Sequence, residues 1–477
     1  MSTSAPRADA PLGEWLTYLE SLHPAAIDLG LERVADVARR LGLKLPFVRI
    51  VVGGTNGKGS TCAMLEAIYL AAGYKVGTYA SPHLVTYNER IRLNGELASD
   101  ADIIEQFVRI DEARGEITLS YFEFSTLAAL LLFETRQVDV AVLEVGLGGR
   151  LDAVNIVDAD CSIITSVDLD HMEYLGSDRE QIGWEKAHIF RTGQPAICSD
   201  PVPPKRLVDY AASIGADLWL FGRDFNYSGD RLQWAYGGRN QRRNSLAYPA
   251  LRGANQLLNA SAALAAVEAL RSSLAVPQQA VRLGLSRASI PGRMQILPGL
   301  PSIVLDVAHN PHAAAALGQG LDAMPSVPAT HAVLGMYADK DVEGVVRRMA
   351  SRIDHWYCAG LPGPRGMTGE KLAEIVRRVV GESTGSKTGD PLVAGFSAAD
   401  PIVLPPSELQ SASDAPGVRA APRPARRERA VTVSCSPDPV TAYREARKAA
   451  SDNDRIVVFG SFSTVGPVLQ EIGPEAV

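Results

Sequence analysis

The sequence predicts a two-domain α/β protein in which an amino-terminal parallel sheet with flanking helices precedes a smaller, Rossmann-like α/β domain. Three observations support this prediction. The chain has 477 residues, more than one hydrophobic core usually organises. Short apolar runs alternate with helical patterns, which is typical of parallel strands joined by crossover helices. Two Pro-Gly pairs, at residues 291–292 and 298–299, interrupt the pattern and bracket a short strand-like run.

The amino-terminal domain is predicted to span residues 1–294. Its first elements form a βαβ unit with a glycine-rich loop between the first strand and the helix, and Gly73 ends that helix. The predicted elements are, in order, a strand at 47–52, a loop at 54–60, a helix at 61–72, a strand at 76–80, a helix at 125–133 and strands at 138–145 and 161–167.

The carboxy-terminal domain is predicted to span residues 295–477. Helical stretches separate its apolar runs, as in a Rossmann-like layer arrangement. Its predicted strands lie at 303–306, 332–335, 355–358 and 456–459. Residues 381–430 are rich in Ser, Pro, Gly and Ala and end in a basic run, so we expect a structureless insertion there, with a docking segment as the alternative.

Composition limits the class of protein. Hydrophobic residues make up 46% of the chain and charged residues 21%, which is ordinary for a globular protein. The net charge of -7 argues against a nucleic-acid binder.

Because no apolar run reaches the length of a membrane span and no apolar signal core is seen, we expect a cytoplasmic protein without membrane contact. We also expect a monomer. Five scattered cysteines predict reduced thiols: Cys62, Cys161, Cys198, Cys358 and Cys435.

The loop Gly54-Thr55-Asn56-Gly57-Lys58-Gly59-Ser60 is predicted to bind nucleotide phosphates. Between a strand and a helix, backbone N–H groups and the helix N-terminus can surround an anion. The loop departs from the strict phosphate-loop pattern because Gly59 separates Lys58 from Ser60. We expect Lys58 to neutralise the β- and γ-phosphates and the Ser60 hydroxyl to face Mg²⁺. The alternative is a glycine-rich turn without a ligand.

Polar residues follow three later strands at the sheet edge where ligands bind in such folds. Ser81, Glu144 and His171 each stand at or just after the end of a predicted strand. A hydroxyl, a carboxylate and an imidazole can hold a divalent metal beside phosphate oxygens. Taken singly, Glu144 could instead be a buried ion-pair partner and His171 a loop histidine.

Several ordered motifs resemble those of folylpolyglutamate synthases and dihydrofolate synthases, which belong with the Mur cell-wall ligases to one superfamily of ATP-dependent amide ligases. The resemblance runs from about residue 15 to residue 468 and is interrupted after Gly381. The motifs, besides the glycine loop, are Tyr79-Ala80-Ser81-Pro82-His83-Leu84, the run from Leu143 to Ala153, Asp170-His171, Glu185-Lys186-Ala187, Pro291-Gly292-Arg293 and the run from Asp306 to His312.

This resemblance implies roles for individual residues. Lys186 matches a lysine that is carbamylated in the family and so binds a second metal; the alternative is an ordinary salt-bridged lysine. His309 is expected to contribute to the closed site. The nucleotide-binding positions implied are Thr55, Asn56, Gly57, Lys58, Gly59, Ser60, Asn259, Arg293 and Asp306. The metal-binding positions implied are Ser60, Ser81, Glu144, His171 and Lys186. The implied catalytic positions are Lys58, Lys186 and His309.

Three further segments resemble the pterin-binding surface of the forms that use dihydropteroate. Aromatic faces suit a flat heterocycle, and carboxylates can accept from its N–H groups. The alternative is that the two phenylalanines simply begin a buried helix. The segments are Asp28-Leu29-Gly30-Leu31, Tyr121-Phe122-Glu123-Phe124 and Leu151-Asp152-Ala153.

The implied activity is ATP-dependent ligation of L-glutamate to 7,8-dihydropteroate through an acyl phosphate, giving dihydrofolate, followed by addition of glutamates to tetrahydrofolate. The implied cofactors are ATP, two Mg²⁺ ions and a monovalent cation. The alternatives are a dihydrofolate synthase alone, a Mur-type ligase acting on a cell-wall precursor, and a nucleotide-binding regulatory module that forms no bond.

Overall fold

The protein is described from a computed structural model that covers residues 5–25, 28–230, 232–385 and 431–473. Residues 386–430 of the predicted insertion lie outside the described residues. The prediction that the insertion begins at residue 381 is wrong, because a helix runs from Gly369 to Gly385. Gly381 retains its backbone N–H, so it weakens the helix by about 1 kcal/mol but does not end it.

The first part of the chain forms an eight-stranded sheet with strand order β4-β3-β2-β5-β1-β6-β7-β8. Strands β2, β5, β1, β6, β7 and β8 pair in parallel, and β3 and β4 add an antiparallel edge. The strands are β1 (Val48–Gly53), β2 (Val76–Tyr79), β3 (Ile91–Leu93), β4 (Glu96–Leu97), β5 (Val140–Glu144), β6 (Cys161–Ile164), β7 (Pro195–Cys198) and β8 (Asp217–Leu220).

Helices cover both faces of this sheet because its central strands are apolar on both sides. In β1, Val51 belongs to one buried cluster, while Ile50 and Val52 belong to the other. The helices are α1 (Leu12–Leu22), α2 (Glu32–Leu41), α3 (Lys58–Ala71), α4 (Asp100–Arg114), α5 (Tyr121–Thr135), α6 (Met172–Leu175), α7 (Arg179–Ala187), α8 (Lys205–Ser213), α9 (Gln256–Ala269) and α10 (Gln278–Arg287). Short 3₁₀ turns span Tyr87–Arg90 and Ala153–Ile156.

A small antiparallel sheet follows the first one and has no counterpart in the sequence prediction. Its strands are β9 (Asn226–Gly229), β10 (Trp234–Gly237) and β11 (Arg242–Leu246), in the order β11-β10-β9. Trp234 and Tyr236 point their rings into the same buried cluster as α9. The Tyr236 hydroxyl also donates to Glu268 of α9 at 2.8 Å. These contacts fasten the small sheet to the helix that carries Asn259.

The last part of the chain forms a six-stranded sheet with order β12-β13-β17-β14-β15-β16, parallel except for β12. Its strands are β12 (Gln295–Leu297), β13 (Ser302–Asp306), β14 (Thr330–Leu334), β15 (His355–Ala359), β16 (Thr432–Ser436) and β17 (Arg455–Phe459). Its helices are α11 (Pro311–Asp322), α12 (Val342–Met349), α13 (Gly369–Gly385), α14 (Pro439–Ala449) and α15 (Phe462–Ile472), with a 3₁₀ turn at Ala350–Arg352.

The predicted α/β class with a parallel-rich sheet in each part is confirmed. All strands of the eight-stranded sheet precede residue 294, and all strands of the six-stranded sheet follow it. The strand-like run between the Pro-Gly pairs is β12. The domain limits themselves stay a prediction. In the described part of the chain, none of the helices combines the length and the apolarity that crossing a bilayer requires.

Candidate active site

The glycine loop wraps the beginning of α3. Gly57 precedes this helix with a φ of 94°, a region that disfavours L side chains, and a Cβ there would lie 2.5 Å from Oδ1 of Asn259. Gly54 has a φ of 140°, and a Cβ there would meet Oγ1 of Thr165 at 2.0 Å. The loop is therefore closed tightly against its neighbours, and the helix N-terminus that it leaves open suits an anion.

Two lysine side chains converge on one carbonyl of this loop. Nζ of Lys58 donates to the carbonyl oxygens of Gly54 at 3.0 Å and Thr55 at 3.2 Å. Nζ of Lys186, which is buried in α7, donates to the same Gly54 oxygen at 3.0 Å. Burial, followed by the charge of Lys58, lowers the pKa of Lys186 to about 7. A substantial fraction of this amine is therefore neutral near pH 7.

Ser81, Glu144 and His171 lie together beside the loop, as the sequence predicted. With Lys58, Lys186 and other residues they line a cavity of about 110 Å³. The backbone N–H of Ser81 donates to Oε2 of Glu144 at 3.3 Å. Burial raises the pKa of Glu144, although the charges of Lys58 and Arg293 oppose this.

These donors fit a divalent cation. A buried carboxylate with spare lone pairs, a hydroxyl and an imidazole form a suitable ligand set. Burial lowers the pKa of His171 to about 4, so its ring is neutral and can bind a metal. Ser60, the last residue of the glycine loop, lines a larger cavity on the other side of this loop.

A cluster around Asp170 joins the two parts of the chain at this site. Nζ of Lys340 lies 2.7 Å from Oδ1 of Asp170, and Nε2 of His309 lies 3.7 Å from Oδ2. Burial acts to raise the pKa of Asp170, but His309 and the charge of Lys340 outweigh it, so the pKa is lowered. The Asp170 carboxylate is thus ionised and holds His309 and Lys340, from the second part of the chain, against the segment that carries His171. The motif Asp170-His171 did not indicate this role for Asp170, and no pattern in the sequence marked Lys340.

A larger cavity, of about 500 Å³, begins at the glycine loop and reaches the second part of the chain. Predicted nucleotide-binding residues from both parts line it, namely Asn56, Gly57, Ser60, Asn259, Arg293 and Asp306. Thr55 and Lys58 line the smaller cavity that contains Ser81, Glu144 and His171, which we call the metal-side cavity. Gly59 lines a third cavity. The structure therefore brings the predicted nucleotide-binding residues around the start of α3.

Side-chain contacts that the sequence did not indicate hold this nucleotide cavity together. Nε2 of Gln256 donates to Oγ of Ser60 at 3.3 Å, and Nδ2 of Asn259 donates to Oε1 of Gln256 at 3.2 Å. Nδ2 of Asn310 donates to Oδ1 of Asn56 at 3.2 Å. No short motif marked these contacts, because each joins residues that are distant in sequence or one turn apart on a helix.

On the other side of the metal-side cavity lies a space of about 520 Å³, which we call the acceptor cavity. Eight predicted pterin-site residues line it, namely Asp28, Leu29, Gly30, Phe122, Glu123, Leu151, Asp152 and Ala153. Ser81, His171 and His309 also line it, so it opens on the metal-side donors. Burial raises the pKa of Asp152 to about 6, while the N–H groups of Leu147 and Val154 donate to its oxygens.

Three predicted pterin-site residues do not line the acceptor cavity: Leu31, Tyr121 and Phe124. The prediction for Phe124 is wrong, because its side chain is fully buried in the core and packs against Phe107 with ring centroids 5.3 Å apart. Asp28 and Glu123 line the cavity, but both pair with Arg33, at 2.7 and 3.1 Å. Arg33 therefore fixes the loop after residue 27 to the start of α5.

Comparison with known proteins identifies the family of this chain. The Mur ligase middle domain matches residues 52–267, and the Mur ligase glutamate ligase domain matches residues 292–394. A dihydrofolate synthase/folylpolyglutamate synthase of Escherichia coli (strain K12) is 47% identical over 401 residues, which cover 84% of this chain and 93% of that protein. The chain belongs to the dihydrofolate synthase/folylpolyglutamate synthase family. A family member from Haemophilus influenzae is 41% identical and covers 78% of the chain and 88% of its own length.

Solved structures of dihydrofolate synthase/folylpolyglutamate synthases share the fold. The E. coli FolC structure in complex with DHPP and ADP has a TM-score of 0.83 and 42% identity, covering 99% of this chain and 100% of that one. A bifunctional folylpolyglutamate synthase/dihydrofolate synthase with Mn, AMPPNP and L-glutamate bound has a TM-score of 0.81 and 40% identity, covering 98% and 100%. The family resemblance and the class of ATP-dependent ligase predicted from the sequence are confirmed.

Proposed function

We propose that this chain joins L-glutamate to 7,8-dihydropteroate to give dihydrofolate, and that it adds further glutamates to tetrahydrofolate. The observation that carries the proposal is the position of Ser81, Glu144 and His171 between the nucleotide cavity and the acceptor cavity. A phosphoryl group held there can pass from one cavity to a carboxylate in the other. The relatives with both activities in their names support the same substrates.

The reaction must convert a carboxylate, which is a poor acylating agent, into an acyl phosphate. A carboxylate oxygen forms a bond to the γ-phosphorus of ATP, and the bond to the bridging oxygen breaks as ADP leaves with the electron pair. The glutamate amine then attacks the carbonyl carbon, loses a proton and expels inorganic phosphate. Lys58 and Arg293 stabilise the charge on the transferring group, so catalysis is mainly electrostatic and positional.

Ser60, Ser81, Glu144 and His171 would hold the divalent cation of this site. When bound, Mg²⁺ would neutralise phosphate charge and orient the γ-phosphoryl group. We propose Mg²⁺ as the cation because hydroxyl and carboxylate oxygens prefer hard ions. A second Mg²⁺, a monovalent cation, a monomeric state and a cytoplasmic location also stay predictions.

We further propose that Lys186 is carbamylated. A neutral amine can form an N–C bond to carbon dioxide and release a proton to water, which leaves a carbamate anion. The lowered pKa and the contact with Gly54 support this, because they place a partly neutral amine beside the phosphate loop. The carbamate would then serve as an anionic ligand for the second cation.

Phosphate release provides the test of the first activity. We expect release to require ATP, dihydropteroate and L-glutamate together, with dihydrofolate identified by mass spectrometry. Release that is indifferent to both acceptor and amino acid would rule out ligation.

The second activity has its own assay. We expect tetrahydrofolate and L-glutamate to give a diglutamate product in the presence of ATP. If dihydrofolate forms but no diglutamate is found, the chain is a dihydrofolate synthase alone.

A further inference from the structure

Three long cationic side chains line the acceptor cavity, and they differ in their partners. Lys340 pairs with Asp170 at 2.7 Å, and Arg365 pairs with Asp339 at 2.8 Å. Within the described ranges, Arg90 has no carboxylate at ion-pair distance, and its two terminal nitrogens have no hydrogen-bond partner. Arg90 is therefore the cation of this cavity that no described carboxylate contacts directly, and its charge reaches Glu144 only at longer range.

The side chain of Arg90 is nevertheless held in place. Its guanidinium lies over the ring of Tyr121 at 5.3 Å and over the ring of Tyr87 at 5.8 Å. Its Nε–H donates to Nδ1 of His83 at 2.8 Å. Cation–π contacts and one hydrogen bond on Nε fix the plane of the group and leave its outer pair of N–H donors for another acceptor.

His83 belongs to the same arrangement. Because Nδ1 accepts from Arg90, the ring proton of His83 lies on Nε2, and the ring presents a second donor. His83 and Arg90 both line the acceptor cavity together with Ser81, which also lines the metal-side cavity. Two oriented donors, one of them a cation, thus share one cavity with the pterin-site residues and with Ser81 and His171.

We propose that Arg90, oriented by His83 and Tyr121, binds the carboxylate of the acceptor substrate and retains it as the acyl phosphate forms. This inference rests on the proposed function, because it takes dihydropteroate as the acceptor. A planar guanidinium matches a carboxylate through two parallel N–H donors. The pterin ring contributes no anion to this contact, so the benzoate carboxylate of dihydropteroate is the group that Arg90 selects.

The test compares two ligands, dihydropteroate and the analogue in which hydrogen replaces the carboxylate. Equilibrium binding of each is measured with the full chain in the presence of Mg²⁺ and a non-hydrolysable ATP analogue. We expect the unaltered chain to bind dihydropteroate roughly 10- to 100-fold more tightly than the analogue, as for hydrogen bonds to charged groups. Arg90→Met should abolish this preference and change binding of the analogue less than about threefold.

The matched control is Arg206→Met. Arg206 also lies over an aromatic ring, that of Trp184, at 5.3 Å, but it does not line the acceptor cavity. It should leave the preference unchanged. Arg90→Lys keeps the charge without the planar fork, and we expect a reduced preference; this variant also provides the answer if Arg90→Met does not fold.

Different failures have different meanings. Equal weakening of both ligands by Arg90→Met would show a structural role and overturn the inference, as would an unchanged preference. A rise in the KM for L-glutamate with the preference intact would assign Arg90 to the amino acid instead. If the unaltered chain makes no dihydrofolate, the proposed function fails; if it makes dihydrofolate but binds both ligands equally, only the inference fails.

Discussion

Single residues in the active site show how burial changes chemistry. Lys58 and Lys186 contact the same Gly54 carbonyl, and the burial of Lys186 lowers its pKa to about 7. The two amines are therefore suited to different tasks. Lys58 lies on the glycine loop, where it can contact a phosphate, whereas Lys186 has the neutral fraction that carbamylation needs.

We expect carbamylation of Lys186 to depend on pH. The neutral amine fraction falls as the pH drops through 7, so the carbamate and the activity should fall together. With ¹³C-labelled bicarbonate, a carbamate carbon signal should appear in the unaltered chain above pH 7 and weaken below it.

Lys186→Ala should remove both the signal and turnover, with partial rescue of turnover by a short carboxylic acid. Undiminished activity of this variant would contradict the assignment.

The Lys186 amine also affects stability. Its pKa is about 7 in the folded chain against a reference value of 10.5, so the unfolded chain binds more protons between these values. Its contribution to stability therefore rises with pH across that window.

At the scale of elements, α5 separates two roles that the sequence could not separate. Phe122 and Phe124 both begin the helix and both were predicted to contact the pterin. The first lines the acceptor cavity, whereas the second is buried against α4. Residues two apart on a helix point in different directions, and only the packing partner shows which of them faces the ligand.

This pair can be tested directly. Phe124→Ala should lower the free energy of unfolding by about 3–5 kcal/mol, because it leaves a cavity in the core. Phe122→Ala should cost less stability but raise the KM for dihydropteroate about tenfold through lost aromatic contact. Chemical denaturation and steady-state kinetics measure the two effects. Equal effects of both variants on KM would contradict this division.

At the scale of the whole molecule, the site is complete only when both large sheets contribute. Asn56 of the glycine loop contacts Asn310, and its Nδ2 lies 3.0 Å from Nδ1 of His312. The ion pair between Asp170 and Lys340 also joins the two parts of the chain, beside the metal-side cavity. Arg293, which precedes β12, and Asp306, which ends β13, also line the nucleotide cavity. Closure of the two parts would therefore exclude water from the acyl phosphate.

Asn310→Ser should weaken the link between the two parts without removing the helix cap. Asn310 caps α11 by accepting from the Ala313 N–H, and serine is also a good cap residue. The shorter side chain should not reach Asn56, so we expect the KM for ATP to rise about fivefold. Asn240→Ser, at an exposed turn, is the control. An unchanged KM in Asn310→Ser would show that the contact does not affect ATP binding.

The sequence by itself determined the parallel sheets, the glycine loop and the family. These follow from local patterns: apolar periodicity, glycines that permit a tight turn, and motifs in a fixed order. It also indicated Ser81, Glu144 and His171, because the carboxyl ends of parallel strands meet at one edge.

Only the tertiary structure decided the small antiparallel sheet, the burial of Phe124, the pairing of Asp28 and Glu123 with Arg33, and the unpaired state of Arg90 among the described residues. Each of these depends on neighbours that are remote in sequence. Burial and charge compensation are properties of the packed environment, so residue type and spacing along the chain do not reveal them.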